Sequence, residues 1–184
     1  MKTLILNGSP RKKGDTMFII NKLTEKLEGE VILVNVYEEK SSPCIDCRYC
    51  WKHQDCALKD DMFKVYDLMD VVDNVVLASP IYFTELTGPL LSYTSRFQRY
   101  YVDRYLNKNP NFAMKEKKGA IILAGGDPHR SIDRPVKTGK IIFRHINTTN
   151  VGVVSTLNTN EVPASEDPTI DEQVEKLAKL LNEK

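Results

Sequence analysis

Short apolar runs and amphipathic segments alternate along the whole chain. Thr3–Leu6 is apolar and is closed by Asn7-Gly8-Ser9-Pro10. Thr16 to Leu27 places Ile20, Leu23 and Leu27 at helical spacing. Val31–Val36 reads as a strand, and Asp60–Met69 as a short helix with acids in its first turn. Val75–Ala78 is an apolar run ending at Ser79-Pro80, and Glu85–Tyr105 reads as largely helical. Ala120–Ala124 ends at Gly125-Gly126, a helix is expected from about Arg134 to His145, and Val151–Val154 is the fifth strand. In the tail, Ile170, Val174, Leu177 and Leu181 form an apolar stripe, with Thr169 and Glu172 spaced as a capping box. Five continuous apolar strands alternating with helices imply a parallel sheet covered on both faces.

The 184 residues suit one domain, 1–184, with a core large enough to need no staples. Two irregular stretches interrupt the alternation. Glu38–Lys59 contains a cysteine-rich insertion at 41–59, and Asn158–Pro168 is a polar connector to the last helix, the two together spanning 158–184. Long loops inside a compact domain tend to be functional. Lys+Arg 26 against Asp+Glu 25 leaves a formal charge of +1, which offers no footprint for nucleic acid. It also differs from the strongly acidic balance of small electron carriers that dock on basic partners. The apolar start is too short for a secretory segment and no window approaches a membrane span, so a cytoplasmic protein is expected.

Three loops carry the candidate chemistry. The first, Gly8-Ser-Pro-Arg-Lys-Lys-Gly-Asp-Thr16, joins the first strand to the first helix, the position that faces the ligand crevice of a doubly wound sheet. Free N–H groups at the helix start, the hydroxyls of Ser9 and Thr16 and the guanidinium of Arg11 suit a phosphate monoester. The loop is neither a P-loop, since position 13 is Lys13 and Gly14 precedes Asp15, nor a dinucleotide fingerprint, since position 10 is Pro10. The second loop, Pro80-Ile81-Tyr82-Phe83, offers backbone polar groups and flat apolar contacts to a planar ring system. The third, Gly125-Gly126, lets backbone approach a ligand closely. Any one of these is an ordinary turn when taken alone; their recurrence after the first, third and fourth strands is what carries weight.

The cysteines fall in one run, Cys44, Cys47, Cys50 and Cys56, spaced C-x2-C-x2-C-x5-C. In a reducing compartment such a cluster indicates metal or redox chemistry rather than a disulfide framework. The residues alone admit four readings: an iron–sulfur cluster, a structural zinc, a reversible disulfide pair, or a loop that packs without metal. Tyr49 and Trp51 beside them are placed to cover a ligand or to fill a subunit interface.

Gly8-Ser9-Pro10-Arg11 with Gly14-Asp15-Thr16, then Ser79-Pro80-Ile81-Tyr82, then Gly125-Gly126, resembles the NADPH-dependent FMN reductase and iron–sulfur flavoprotein families, in order and spacing over nearly the whole chain. The resemblance implies a flavodoxin-like, three-layer α/β/α fold, a doubly wound five-stranded parallel sheet of order 2-1-3-4-5. It implies FMN as cofactor and NAD(P)H as electron donor, with a [4Fe–4S] cluster on the four cysteines. It also implies a homodimer or homotetramer that passes electrons to a small-molecule or protein acceptor. By the same resemblance Ser9, Arg11 and Thr16 hold the phosphate, Gly14 and Asp15 belong to the same cofactor-binding loop, and Pro80, Ile81, Tyr82, Phe83, Gly125 and Gly126 frame the isoalloxazine. Asp15 stands in that loop where relatives often carry Asn or Ser, and its charge would repel a phosphate unless it turns away. The flavin carries the chemistry, so no catalytic side chain is expected. A flavin oxidoreductase, an electron carrier and a redox or metal sensor are the three functions these features support. Phe97, Tyr100, Tyr101 and Tyr105 share a helix face, with Phe97 expected in the core and the tyrosines suited to a homo-oligomer interface.

Overall fold

The computed structural model describes residues 1–108 and 114–183, so Lys184 of the expected C-terminal segment lies outside the described residues. Five parallel strands form one sheet: β1 (Lys2–Asn7), β2 (Glu30–Asn35), β3 (Asn74–Pro80), β4 (Lys117–Ala124) and β5 (Thr148–Thr156), in the order β2-β1-β3-β4-β5. That is the expected topology. β1 and β3 are one or two residues longer at either end than their apolar runs, and β4 starts three residues before its run, at Lys117, because ladder bonds continue into the flanking residues.

The two faces of the sheet bury separate sets of side chains, as period-two alternation requires. Leu4, Leu6, Val75, Leu77, Ile121 and Leu123 face α2 (Met62–Met69), α3 (Gly88–Thr94) and α5 (Asp133–His145). Ile5, Val76, Ala78, Ala120, Ile122 and Val154 face α1 (Asp15–Thr24) and α6 (Ile170–Asn182). Lys22 of α1 and Lys26, just past its end, pair with Asp171 and Glu175 of α6 across that layer.

Two local expectations need correction and one is refined. The segment Glu85–Tyr105 is largely helical, as expected, but it is not a uniform helix from its first residue. Phe83 (φ +53°) and Thr84 (φ +61°) form a two-residue turn in which the N–H groups of Tyr82 and Glu85 donate to one another's carbonyls, and helix begins only at Gly88 with Pro89 in its first turn. It then passes through a 3-10 turn at Ser95–Phe97, α4 (Gln98–Tyr101) and a π-helical turn at Val102–Leu106. The tyrosine stripe divides: Phe97 and Tyr100 are buried in the core, with Tyr100 edge-on to Tyr66, while Tyr101 and Tyr105 pack against His145. Thr169 makes no capping box with Glu172; its hydroxyl donates to Asp167 and accepts from the Gln173 amide.

Candidate functional site

A flavodoxin-like sheet changes winding direction between β1 and β3, and the loops leaving the carboxyl ends of the strands open a crevice there. The structure fills that expectation with a hollow of about 140 Å³ walled by four loops. Ser9, Pro10, Arg11, Gly14, Asp15 and Thr16 come from the loop after β1. Pro80, Ile81 and Tyr82 follow β3, and Ala124, Gly125 and Gly126 close β4. Ten of the eleven residues expected to touch the cofactor therefore meet in one place. The eleventh, Phe83, is 99% exposed and lines an adjoining hollow of about 370 Å³ together with Gly125, Gly126, Asp127 and Arg130.

The rim is stitched by hydrogen bonds that tie the loops to one another. Gly8 N–H donates to Ala78 O (2.7 Å), and Thr87 Oγ donates back to Gly8 O (2.8 Å). Thr87 N–H donates to Ser79 Oγ, Ile81 N–H to Ala124 O, Gly125 N–H to Thr156 O and Thr159 N–H to Gly125 O. Asn7, buried at 2% exposure, accepts from Ser9 N–H and donates to Asn35 Oδ1, fixing where the phosphate loop leaves the sheet. Gly8 is required by packing: a Cβ there would stand 2.8 Å from both Leu90 Cβ and Thr87 Oγ1. Gly126 is pressed just as closely by the Asn160 amide.

The first turn of α1 has no side-chain cap, so its free N–H groups face the hollow beside the Ser9 and Thr16 hydroxyls and the exposed Arg11. A phosphate fits this donor set. Asp15 lines the same wall, but its Oδ1 accepts the N–H of Ala164 (2.8 Å) and so fastens the 158–168 connector onto α1. At the outer edge, the His129 N–H and then Arg130 hold the Asp127 carboxyl below its ordinary value.

Sequence reasoning missed several residues here. Thr159 and Asn160 line the hollow from the connector, which drew notice only as a polar stretch. Thr87 is fully buried and bridges the first and second loops, and nothing in its local sequence marks it. Tyr37, just past β2, has its phenol pushed up by burial and by the neighbouring Tyr82. An aromatic at the end of a strand that borders β1 was the available signal.

The cysteines occupy a second place. All four line one cavity of about 350 Å³, shared with Tyr49, Trp51, Arg96, Arg99, Tyr101 and Leu106. This cavity and the phosphate hollow have no lining residue in common. Tyr49 and Trp51 thus border the cysteine cavity and not the hollow at the switch point; Tyr49 stacks on His53 and Arg48 lies over Trp51. Cys44 and Cys47 are exposed, Cys50 and Cys56 half-buried. Burial, joined by the three neighbouring cysteines, pushes the Cys50 thiol up. Among the described residues no three His, Cys, Asp or Glu side chains come close enough to grip one metal ion. A [4Fe–4S] cluster takes one thiolate at each of four irons, so its thiols need to surround one cavity rather than meet at one ion, and the four cysteines here share the lining of one cavity. The buried Nε of Arg96, in the wall of the same cavity, has no hydrogen-bond partner among the described residues and leaves one donor for such a unit.

The fold and the four-loop hollow at the switch point define a flavodoxin-like domain. The chain belongs to the NADPH-dependent FMN reductase family, whose model matches residues 1–160. It is similar to two iron–sulfur flavoproteins of Archaeoglobus fulgidus, one 35% identical over 159 residues (76% of this chain, 77% of the relative) and one 32% identical over 125 residues (66% and 60%). The chain thus spans between three-fifths and about three-quarters of the length of these relatives. Among solved structures, it superposes on the NAD(P)H:quinone oxidoreductase from Methanothermobacter marburgensis with a TM-score of 0.77 at 14% identity, covering 100% of this chain and 98% of that one. At that identity the likeness speaks for the fold. Among the described residues no helix is long and apolar enough to cross a membrane.

Proposed function

We propose that this chain is an FMN-dependent oxidoreductase that draws electrons from NAD(P)H and delivers them to a small-molecule or protein acceptor, with an iron–sulfur cluster held by Cys44, Cys47, Cys50 and Cys56. The observation that carries the reading is the convergence of loops after β1, β3, β4 and β5 on one hollow with a phosphate-binding wall on one side and apolar and glycine surfaces on the other. Bound FMN supplies hydride acceptance and the ability to release electrons singly or in pairs.

The protein's own residues do the rest. Ser9, Thr16 and the free N–H groups of α1 hold a phosphate, and Arg11 adds charge to that bond. Pro80, Ile81 and Tyr82 shape a flat apolar wall. Gly125 and Gly126 let a ring edge approach the backbone; a Cβ would press on Ile81 at 3.3 Å from the first and displace the Asn160 amide at the second. The adjoining hollow beside Phe83 and Arg130 leaves an open approach for donor and acceptor. The cysteine cavity fits a [4Fe–4S] cluster, which would supply one-electron exchange with an outside partner. Assembly as a homodimer or homotetramer belongs to the same reading. Exposed apolar side chains of Ile45, Tyr49, Trp51 and Leu106 gather at the cysteine cavity, a surface of the kind that oligomers cover.

The test is an absorption spectrum of anaerobically purified protein, with iron, sulfide and NAD(P)H oxidation measured on the same sample. The expected result is flavin bands with a broad shoulder bleached by dithionite, matching iron and sulfide, and pyridine nucleotide consumed without an added reductase. Failure to bind added FMN would overturn the flavin reading. Flavin without iron or sulfide would overturn the cluster reading. Flavin that no pyridine nucleotide reduces would turn the chain into a carrier served by another enzyme. A light-scattering mass of one chain would overturn the oligomer.

A further inference from the structure

The cysteine loop is long, and its interior has little regular structure beyond a 3-10 turn at Tyr49–Trp51. Left to itself such a segment would sample many conformations, at an entropy cost to any group that must collect four thiols from it. Its neck, however, is closed by one side chain. Arg96 Nη1 donates to Ser42 O (3.0 Å) and to Asp60 Oδ2 (2.7 Å), while Nη2 donates to Leu58 O (2.9 Å). Ser42 and Leu58 flank the four cysteines on either side, so a single guanidinium holds both ends of the loop. Asp60 completes the closure, accepting Ser42 N–H (3.1 Å) on the same oxygen that Arg96 holds. Next door, Cys44 N–H donates to Ser95 Oγ (2.9 Å). Farther along, Arg99 donates to Gln54 O (2.8 Å).

The Arg96 side chain is only 1% exposed, and that of its partner Asp60 is 16%. Burial of a charge is costly unless it is paired and hydrogen-bonded. A sequence with no use for this arrangement would do as well with an apolar residue against Tyr66. Arg96 instead sits where the helical segment after β3 tightens to a 3-10 turn, which aims its stem at the loop's neck.

We propose that Arg96 is the positioning residue of the cysteine loop: by bridging Ser42 and Leu58 it arrays the four thiols around their cavity before any inorganic cluster arrives. This deepens the iron–sulfur reading given above and rests on it for its purpose, though not for its geometry. Lysine cannot replace it. An ammonium is a point charge on a flexible stem and does not reach two carbonyls and a carboxylate in one plane.

The experiment uses the FMN-loaded, metal-free full chain and its Arg96→Lys variant. Hydrogen exchange is followed at Ser42 and Cys44, then iron and sulfide uptake per flavin on anaerobic reconstitution with ferrous iron and sulfide. The expected result is exchange at Ser42 and Cys44 faster by at least about tenfold, the worth of one charge-assisted hydrogen bond. Iron uptake falls in parallel, with FMN affinity and the protection of β1 and β3 amides unchanged. Unchanged exchange at both residues overturns the proposal, as does full iron loading in a variant whose neck has opened. Should Arg96→Lys fail to fold, Asp60→Asn decides. It removes the oxygen that Arg96 and Ser42 N–H share but keeps the acceptor for Met62 N–H at the start of α2, so Ser42 speeds up from that loss alone, and the proposal expects Cys44 to exchange faster with it; unchanged exchange at Cys44 overturns the proposal. If the wild-type chain itself takes up no iron, the cluster reading fails while the exchange result still judges the latch.

Discussion

Replacing Gly8 by alanine probes the point where the phosphate loop, β3 and α3 meet. The new methyl would lie 2.8 Å from Leu90 Cβ and Thr87 Oγ1 and 3.1 Å from Leu90 Cδ2. Leu90 is fully buried, and its Cβ is fixed to the backbone of α3, so it cannot swing away as the tip of an exposed side chain would. Overpacking of this kind costs about 1–3 kcal/mol. Relief by moving Thr87 breaks its hydrogen bond to Gly8 O, adding about 1 kcal/mol. The sum, about 2–4 kcal/mol, lowers a urea midpoint by roughly 1–2 M for a slope near 2 kcal/mol/M. The loop that carries Ser9 and Arg11 moves with the glycine, so FMN binding weakens as well, by about tenfold if one phosphate hydrogen bond is lost. Gly14→Ala is the matched control in the same loop. Its new methyl would stand 3.0 Å from Arg11 Cβ, which the exposed loop relieves by a shift of a few tenths of an ångström rather than by repacking the core, in an extended conformation that alanine adopts freely, and it costs about 1 kcal/mol. Urea unfolding of the flavin-free protein gives the first quantity, and quenching of flavin fluorescence gives the second. Equal midpoints for Gly8→Ala and wild type would refute the packing argument, and equal midpoints for the two variants would refute its assignment to Leu90 and Thr87.

Two further substitutions test charges. Asp15→Asn keeps the acceptor for Ala164 N–H and removes a negative charge from the phosphate wall; FMN affinity is expected to rise about threefold to tenfold in a fluorescence titration, and a weaker complex would show that the carboxylate does not oppose the phosphate. Lys117 is 2% exposed, and burial lowers its pKa to about 8 from 10.5. Between those values the unfolded chain binds a proton that the folded chain does not, so wild-type stability rises as pH climbs from about 8 toward 10.5. Lys117→Met is expected to gain about 1–3 kcal/mol at pH 7 and to lose most of that rise, measured by urea unfolding at pH 7 and 9.5.

The sheet was legible because a strand buried on both faces must be apolar throughout, and Leu4–Leu6, Val75–Ala78 and Ala120–Ala124 satisfy that without help from distant residues. The strand order was not in any one run; it came with the resemblance carried by the three loops. Those loops were legible because binding a phosphate or admitting a ring constrains residue type locally, as at Ser9, Arg11 and Gly126. What escaped was set by contacts far apart in sequence. Thr87 matters through Gly8, 79 residues away, and Arg96 through Ser42 and Leu58, 54 and 38 residues away. Both are ordinary residues in the segment read as largely helical from Glu85 to Tyr105. That reading held from Gly88 onward, but helical periodicity does not reveal the left-handed turn at Phe83–Thr84 or the tightening near Arg96. The tyrosine stripe divides because consecutive residues diverge by about 100° on a helix, which takes Tyr100 into the core and Tyr101 toward His145.

The two cavities share no lining residue, and the loop that carries the thiols is fastened by Arg96 and Asp60 at its neck, by Ser95 at Cys44 and by Arg99 at Gln54. Three of those four anchors lie on the helical segment that follows β3, and none of the four lines the hollow at the switch point. The two places are therefore independently addressable: a thiol reagent or metal ion that fills the one leaves the walls of the other untouched.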